Sequence, residues 1–193
     1  MKKVILLMGL LILFVKLSFA TGLPKVKLQT DFGSIIIEID TFHAPITAHN
    51  FLKHLAEGTY ENAVFYRTVR MDNQPNNEVK IEVIQGGIFD DQLIDRIPPV
   101  SHETTKMTGI KHKNGTFSMA RYTPGTATTE FFICVGDQPE LDFGGKRNPD
   151  GQGFAAFGQV IKGMDVVKKI QQQKDKDQYL INKVEVSIEL IKD

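Results

Sequence analysis

The sequence predicts a mainly β protein, a single closed barrel of about eight strands with two helices. Three observations carry this. Short runs of β-branched and aromatic residues, bounded by glycine and other turn residues, recur along the chain. Only two stretches switch to helical spacing. No repeat or low-complexity linker interrupts the 193 residues, a length that suits one domain.

The first residues, MKKVILLMGLLILFVKLSFA, are set aside from the fold. Lys2 and Lys3 form a basic start, Val4 to Val15 an apolar core, and Ser18-Phe19-Ala20 a small-x-small cleavage site. The apolar run is too short to span a bilayer and Lys16 interrupts it, so residues 1–20 read as a cleavable signal peptide and 21–193 as the exported domain, periplasmic or secreted. Within that domain KVKLQT and GSIIIEID are two strands in Lys25 to Asp40, joined by a hairpin that turns at Gly33. APITAHNFLKHLAEG is the first helix: Pro45 suits its first turn, Phe51, Leu52 and Leu55 make the apolar stripe, and Gly58 ends it. AVFYRTV, VKIEVIQGG, GTFSMA, EFFICVG and FAAFGQVI follow as strands. GMDVVKKIQQQ is the second helix, with Met164, Val167 and Ile170 inward, and VEVSIELI closes the chain in strict alternation.

Charge and cysteine content narrow the function classes. Removing the leader takes three lysines from the 23 basic residues and no acids, leaving 20 against 23 and a net charge of −3. Neither nucleic acid nor an anionic membrane surface is an expected partner, and no stable membrane insertion is expected once the leader is gone. Cys134 is the sole cysteine, so the domain folds without an internal disulfide, and its place inside FFICV makes it a buried, unreactive thiol.

The order of motifs APITAHNFLKHL, FYR, VIQGG, FSMAR, TEFFIC, LDF and FAAFGQVIKGMDVV resembles that of cyclophilin-type peptidyl-prolyl cis-trans isomerases over nearly the whole domain. The resemblance implies a closed eight-stranded antiparallel barrel capped by a helix at each end. It also implies a monomer that acts on proline-containing segments of folding proteins without metal or cofactor.

The resemblance also implies the site. Arg67 of FYR matches the family's catalytic arginine, and Phe132, the second ring of FFI, the floor of its proline pocket. Alternation is consistent, since Phe131, Ile133 and Val135 point one way along a strand and Glu130, Phe132 and Cys134 the other. Gln85 matches a glutamine that binds substrate backbone and steadies the arginine. Val83 stands for a methionine of the pocket wall, Leu141 matches a pocket leucine, and Ala120 with Arg121 matches the segment that pairs with the peptide. The rim departs from the family: Tyr66 and Phe154 replace histidines, Glu130 a glutamine, Glu140 a tryptophan and Glu82 a pocket phenylalanine, the last beside an insertion, MDNQPNNEVK. Glu130 is then an acceptor or a partner for Arg121. Unusual substrate preference and weak cyclosporin binding follow.

Other motifs carry less. DFGG at Asp142 has no nucleotide-binding companions in so short a chain, and DGQG around Asp150 reads as a turn. His43, His49, His54, His102 and His112 lack metal-ligand spacing and read as solvated or helix-surface histidines. Asn114-Gly-Thr is a glycosylation acceptor only in a host that glycosylates, and KDKD from Lys174 is a solvated helix end. Two functions remain, an active prolyl isomerase and a proline-peptide binding module with little turnover. Arg67, Gln85 and Phe132 together favour the enzyme, because a pure binder has no use for a donor aimed at the prolyl nitrogen.

Overall fold

β1 (Lys25–Thr30) and β2 (Gly33–Ile39) pair as the predicted hairpin, with Thr30 opposite Gly33 and Gly33 at φ +125°. The computed structural model describes residues 22–192, so the expected signal peptide lies outside the described residues. After the hairpin come α1 (Pro45–Ala56), β3 (Val64–Val69), β4 (Val83–Gly87), the single-turn helices α2 (Asp91–Ile94) and α3 (Thr105–Thr108), β5 (Thr116–Met119) and β6 (Phe131–Cys134). A 3-10 turn (Pro139–Leu141), β7 (Ala155–Lys162), α4 (Met164–Gln171), β8 (Asp175–Lys176), β9 (Tyr179–Glu185) and β10 (Ser187–Leu190) complete the chain.

All strand pairings are antiparallel, in the order β10-β1-β2-β7-β5-β6-β4-β3-β9-β8. The ends of this order, β10 and β8, do not pair with each other, so the ladder is open where a closed barrel is expected, and the chain crosses the gap from β9 to β10. β9 pairs with β3, β10 pairs with β1, and only Val186 separates them. Counting β9 and β10 as one broken strand gives the expected eight around the barrel; β8 is a two-residue extra. The break is held by Val186 N donating to Ala63 O at 3.0 Å.

Alternation on the strands divides the apolar residues between two clusters. The barrel interior takes Ile37, Phe65, Phe117, Phe131, Ile133 and Phe157, all fully buried. α1 adds Phe51, whose ring lies 5.2 Å from Phe117 and 5.5 Å from Phe157. Rings of this size contribute ~1.5–3 kcal/mol each when buried. α4 packs against β2, β3 and β4 with Val166, Val167 and Ile170 inward. The second, smaller cluster lies on the outer face: Val69, Ile81, Val83, Phe132, Cys134 and Leu141, with Ala120 and Phe154 packed against it.

Several local expectations change. β4 starts at Val83, not Val79, because the Gln74 amide pairs with the backbone N–H and C=O of Ile81 and so replaces the ladder there. KDKD is not a helix end: Asp175 and Lys176 pair with Leu180 and Tyr179 in a hairpin. His54 is not solvated either, being buried on the inner face of α1. The N-terminus of α1 has no local side-chain cap. The buried Glu103 carboxylate serves instead, accepting from Ile46 N at 3.2 Å, Thr47 N at 2.6 Å and Thr47 Oγ1 at 2.7 Å, where free N–H groups and the helix dipole favour an anion.

Candidate active site

Three adjacent strands bring the central residues into one row. In register, Phe132 of β6 faces Gln85 of β4, and Gln85 faces Arg67 of β3. Cys134, Val83 and Val69 form the next row on the same face. A β-bulge is responsible for Arg67 being there. Strict alternation would send Arg67 inward with Phe65, but Tyr66 is an extra, unpaired residue between them. The bulge turns Arg67 and Val69 to the outer face while Phe65 stays in the core.

The Arg67 guanidinium is fixed by two neutral amides. Nη1 donates to Gln85 Oε1 at 2.9 Å, and Nε and Nη2 donate to Gln178 Oε1 at 3.1 and 2.5 Å. Burial lowers its pKa below the ordinary arginine value, and the guanidinium stays charged. Gln178 has no signal in the sequence that would link it to a site 111 residues away.

Behind Gln85 stand Tyr66 and Glu130. Gln85 Nε2 donates to the Tyr66 hydroxyl at 2.5 Å. Glu130 Oε1 accepts from Ile88 N at 2.8 Å, and Oε2 has no hydrogen-bond partner. Burial raises the Glu130 pKa, and burial together with Glu130 pushes the Tyr66 phenol far above its ordinary value. The carboxylate fits because Gly87 has no side chain: a Cβ there would clash with Glu130 Oε1. Glu130 is therefore not the partner of Arg121. Arg121 forms a bidentate ion pair with Asp150 at 2.9 and 2.9 Å, donates to Gly153 O, and places its guanidinium 5.1 Å above the Phe154 ring. Its side chain is 1% exposed and braces the 143–153 loop. Glu82 also stays out of the apolar cluster, where Ile81 and Val83 point instead.

Phe132 sits in the outer cluster, 4% exposed. Phe154 meets it edge-on at 5.3 Å, Val83 and Leu141 are buried beside it, and Ala120 and Phe154 are half-buried against it. Beneath the ring lies His112, stacked at 5.8 Å and 15°. This histidine is 1% exposed, contrary to the expectation of a solvated one. Nδ1 lies 2.9 Å from Asp142 Oδ1 and Nε2 lies 3.0 Å from Ser118 Oγ. The carboxylate only accepts, so Nδ1 carries the proton and Nε2 accepts from Ser118. Ser118 is fully buried, which makes this Ser–His–Asp line a brace under Phe132, with no route for a nucleophile to reach substrate. Cys134 is fully buried and burial pushes its thiol pKa up, as expected of an inert core cysteine. The Glu140 rim position is half-buried, its carboxylate accepting from Lys146 N at 2.8 Å.

The brace predicts a pH effect. Burial lowers the His112 pKa in the folded state below 6.5, against the opposing pull of Asp142. The unfolded chain then binds a proton that the folded chain resists, so stability falls as pH drops below 6.5. Burial lowers His54 and His102 in the same direction. Asp142, whose bonds to His112 outweigh burial and hold it below 3.8, acts only at lower pH. The melting temperature should therefore fall from neutral to mildly acidic pH, with a shallower slope in His112→Gln. An equal slope in the variant would show that His112 is not a source of it.

Known proteins resemble this chain over most of its length. The family model for cyclophilin type peptidyl-prolyl cis-trans isomerase/CLD matches residues 25–190. The chain is 33% identical over 171 residues to a peptidyl-prolyl cis-trans isomerase of Acinetobacter baylyi, covering 88% of this chain and 82% of that one. It is 36% identical over 149 residues to peptidyl-prolyl cis-trans isomerase B of Escherichia coli, covering 76% and 83%. A solved cyclophilin type isomerase of Cryptosporidium parvum has the same fold, with a TM-score of 0.68 at 21% identity over 88% of this chain and 98% of that one. A second structure of that protein, in the presence of the dipeptide Ala-Pro, gives 0.68 at 22% identity over 88% and 99%.

Proposed function

The chain belongs to the family of cyclophilin-type peptidyl-prolyl cis-trans isomerases and is itself such an isomerase, and we propose that it turns X–Pro bonds by seating the proline ring on Phe132 beneath the Arg67 guanidinium. The row Phe132–Gln85–Arg67 on three paired strands carries this reading. Rotation about the bond must break amide resonance against a barrier of about 18–20 kcal/mol. Uncatalysed exchange accordingly takes on the order of tens to hundreds of seconds. A donor aimed at the prolyl nitrogen draws its lone pair out of conjugation as the bond twists, and a cup that fixes the ring lets the rest rotate. Each tenfold of rate needs about 1.4 kcal/mol of preference for the twisted state, so one preorganised charged donor accounts for several powers of ten together with the cup.

The substrate that fits is a proline-containing segment of an unfolded or folding chain, taken up by a monomer. Val83, Leu141, Ala120 and Phe154 line the cup, while Tyr66 and Glu130 support Gln85 from behind. In a protease-coupled assay on a proline tetrapeptide, the cis fraction should convert at a rate that rises linearly with protein concentration. No acceleration would overturn the reading. The basic start, apolar run and cleavage site of the leader support action on exported proteins, outside the cytoplasmic membrane. Expressed in full in a bacterium, the protein should be recovered in the periplasm or medium with Thr21 at its N-terminus; retention in the cytoplasm would refute export.

A further inference from the structure

We propose that Gln178 is a positioning residue for the reaction, holding the Arg67 guanidinium in the plane from which it addresses the prolyl nitrogen; the proposal rests on Arg67 being the catalytic donor. The first observation is backbone strain. Asp177 and Gln178 join β8 to β9, and both have positive φ, 53° and 72°. A two-residue hairpin turn with both φ positive favours Asn-Gly, and glutamine is a poor residue for it. Residues held in such a conformation persist where the surroundings over-determine them, and they concentrate at functional sites.

The side chain accounts for the choice. Gln178 Oε1 takes two of the guanidinium N–H groups, and Nε2 donates to Asn73 O at 3.2 Å, which fixes the amide the right way round. Its own N–H donates to Asp175 Oδ2 at 3.1 Å and its carbonyl accepts from Thr68 N at 2.8 Å. Asp175 is in turn held by an ion pair with Arg70 Nη2 and by Asn73 Nδ2 at 3.1 Å, and the Asp175 side chain is only 8% exposed. The turn is thus clamped from beneath, and its one functional output is an acceptor placed against Arg67.

An amide suits this task better than a carboxylate. Among the described residues no acidic side chain forms an ion pair with Arg67. Gln85 and Gln178 hold the plane while leaving the positive charge uncompensated, available to the developing lone pair on nitrogen. The three bonds they accept leave two of the five guanidinium N–H groups for substrate.

The test compares Gln178→Gly, Gln178→Asn and Arg67→Ala. Glycine relieves the turn and asparagine tolerates it, but neither reaches Arg67. Both should keep or raise the melting temperature while lowering kcat/KM by about tenfold, the effect of losing a bond to a charged group. The Arg67 Nε–H resonance should lose its protection from exchange with water. Unchanged kcat/KM in Gln178→Gly, or a loss that only follows a fall in melting temperature, would overturn the positioning role. Undiminished turnover in Arg67→Ala would instead remove the catalytic reading on which it rests. An inactive Arg67→Ala beside a fully active Gln178→Gly would reject Gln178 alone.

Discussion

Arg67→Ala should lose about a hundredfold to a thousandfold in kcat/KM, the usual effect of removing one preorganised donor from a developing charge. The fold should survive. Arg67 lies on the outer face of β3, makes no interior contact, and leaves behind only Gln85 and Gln178, both half-buried amides within reach of water. The loss should fall on the rotation step more than on peptide affinity, because the donor acts on a lone pair that is released only as the bond twists. Arg67→Lys should restore little. An ammonium lacks the planar fork that three bonds to two amides require. Turnover equal to that of the parent in Arg67→Ala, with the melting temperature unchanged, would remove Arg67 from the mechanism.

The second large effect separates two neighbouring rings. Phe131 is fully buried at the centre of the barrel, with Phe51, Tyr60, Phe65 and Phe117 at 6.2, 6.0, 5.9 and 5.0 Å. Phe131→Ala should cost about 3–5 kcal/mol, since transfer and cavity costs add in a packed interior. That lowers the melting temperature by roughly 10 °C or more for a domain of this size. Below that temperature the folded molecules should still turn over peptide. Phe132→Ala should show the opposite balance. Its ring belongs to the smaller outer cluster and is the proposed seat of the proline ring, so peptide binding and catalysis should fall together, with a smaller thermal shift. Equal thermal collapse of both variants, with binding lost only on unfolding, would make Phe132 a core residue and the cup an accident of packing.

Much of the architecture follows from local pattern. The period-2 run of β6 places Phe131 and Ile133 inside and Phe132 and Cys134 outside, as the two clusters show. The stripe Phe51 and Leu55 predicts α1, and Met164, Val167 and Ile170 predict α4. The hairpin at Gly33 follows from the turn residue itself. Each of these depends on side chains within a few residues of one another, where a fixed period converts spacing into facing.

The structure alone decided which polar groups meet. Arg67 and Gln178 are 111 residues apart, His112 and Asp142 are 30 apart, and Thr47 and Glu103 are 56 apart. Nothing in the spacing of such residues encodes their meeting, because strand order and register set the distances. His112 reads as solvated in the sequence because an isolated histidine carries no mark of burial, and Glu130 is offered as a partner for Arg121 because the residue that pairs with it, Asp150, lies in a loop. The bulge at Tyr66 is the clearest case. Alternation would turn Arg67 into the core, and one extra residue, admitted by pairing against β4, turns it out to the site. Local periodicity thus determined most of the strands, the two longer helices α1 and α4, and the side of β6 that Phe132 takes. The direction of Arg67 and the amides that hold it were decided by interstrand register, a property of the assembled barrel that no single segment possesses.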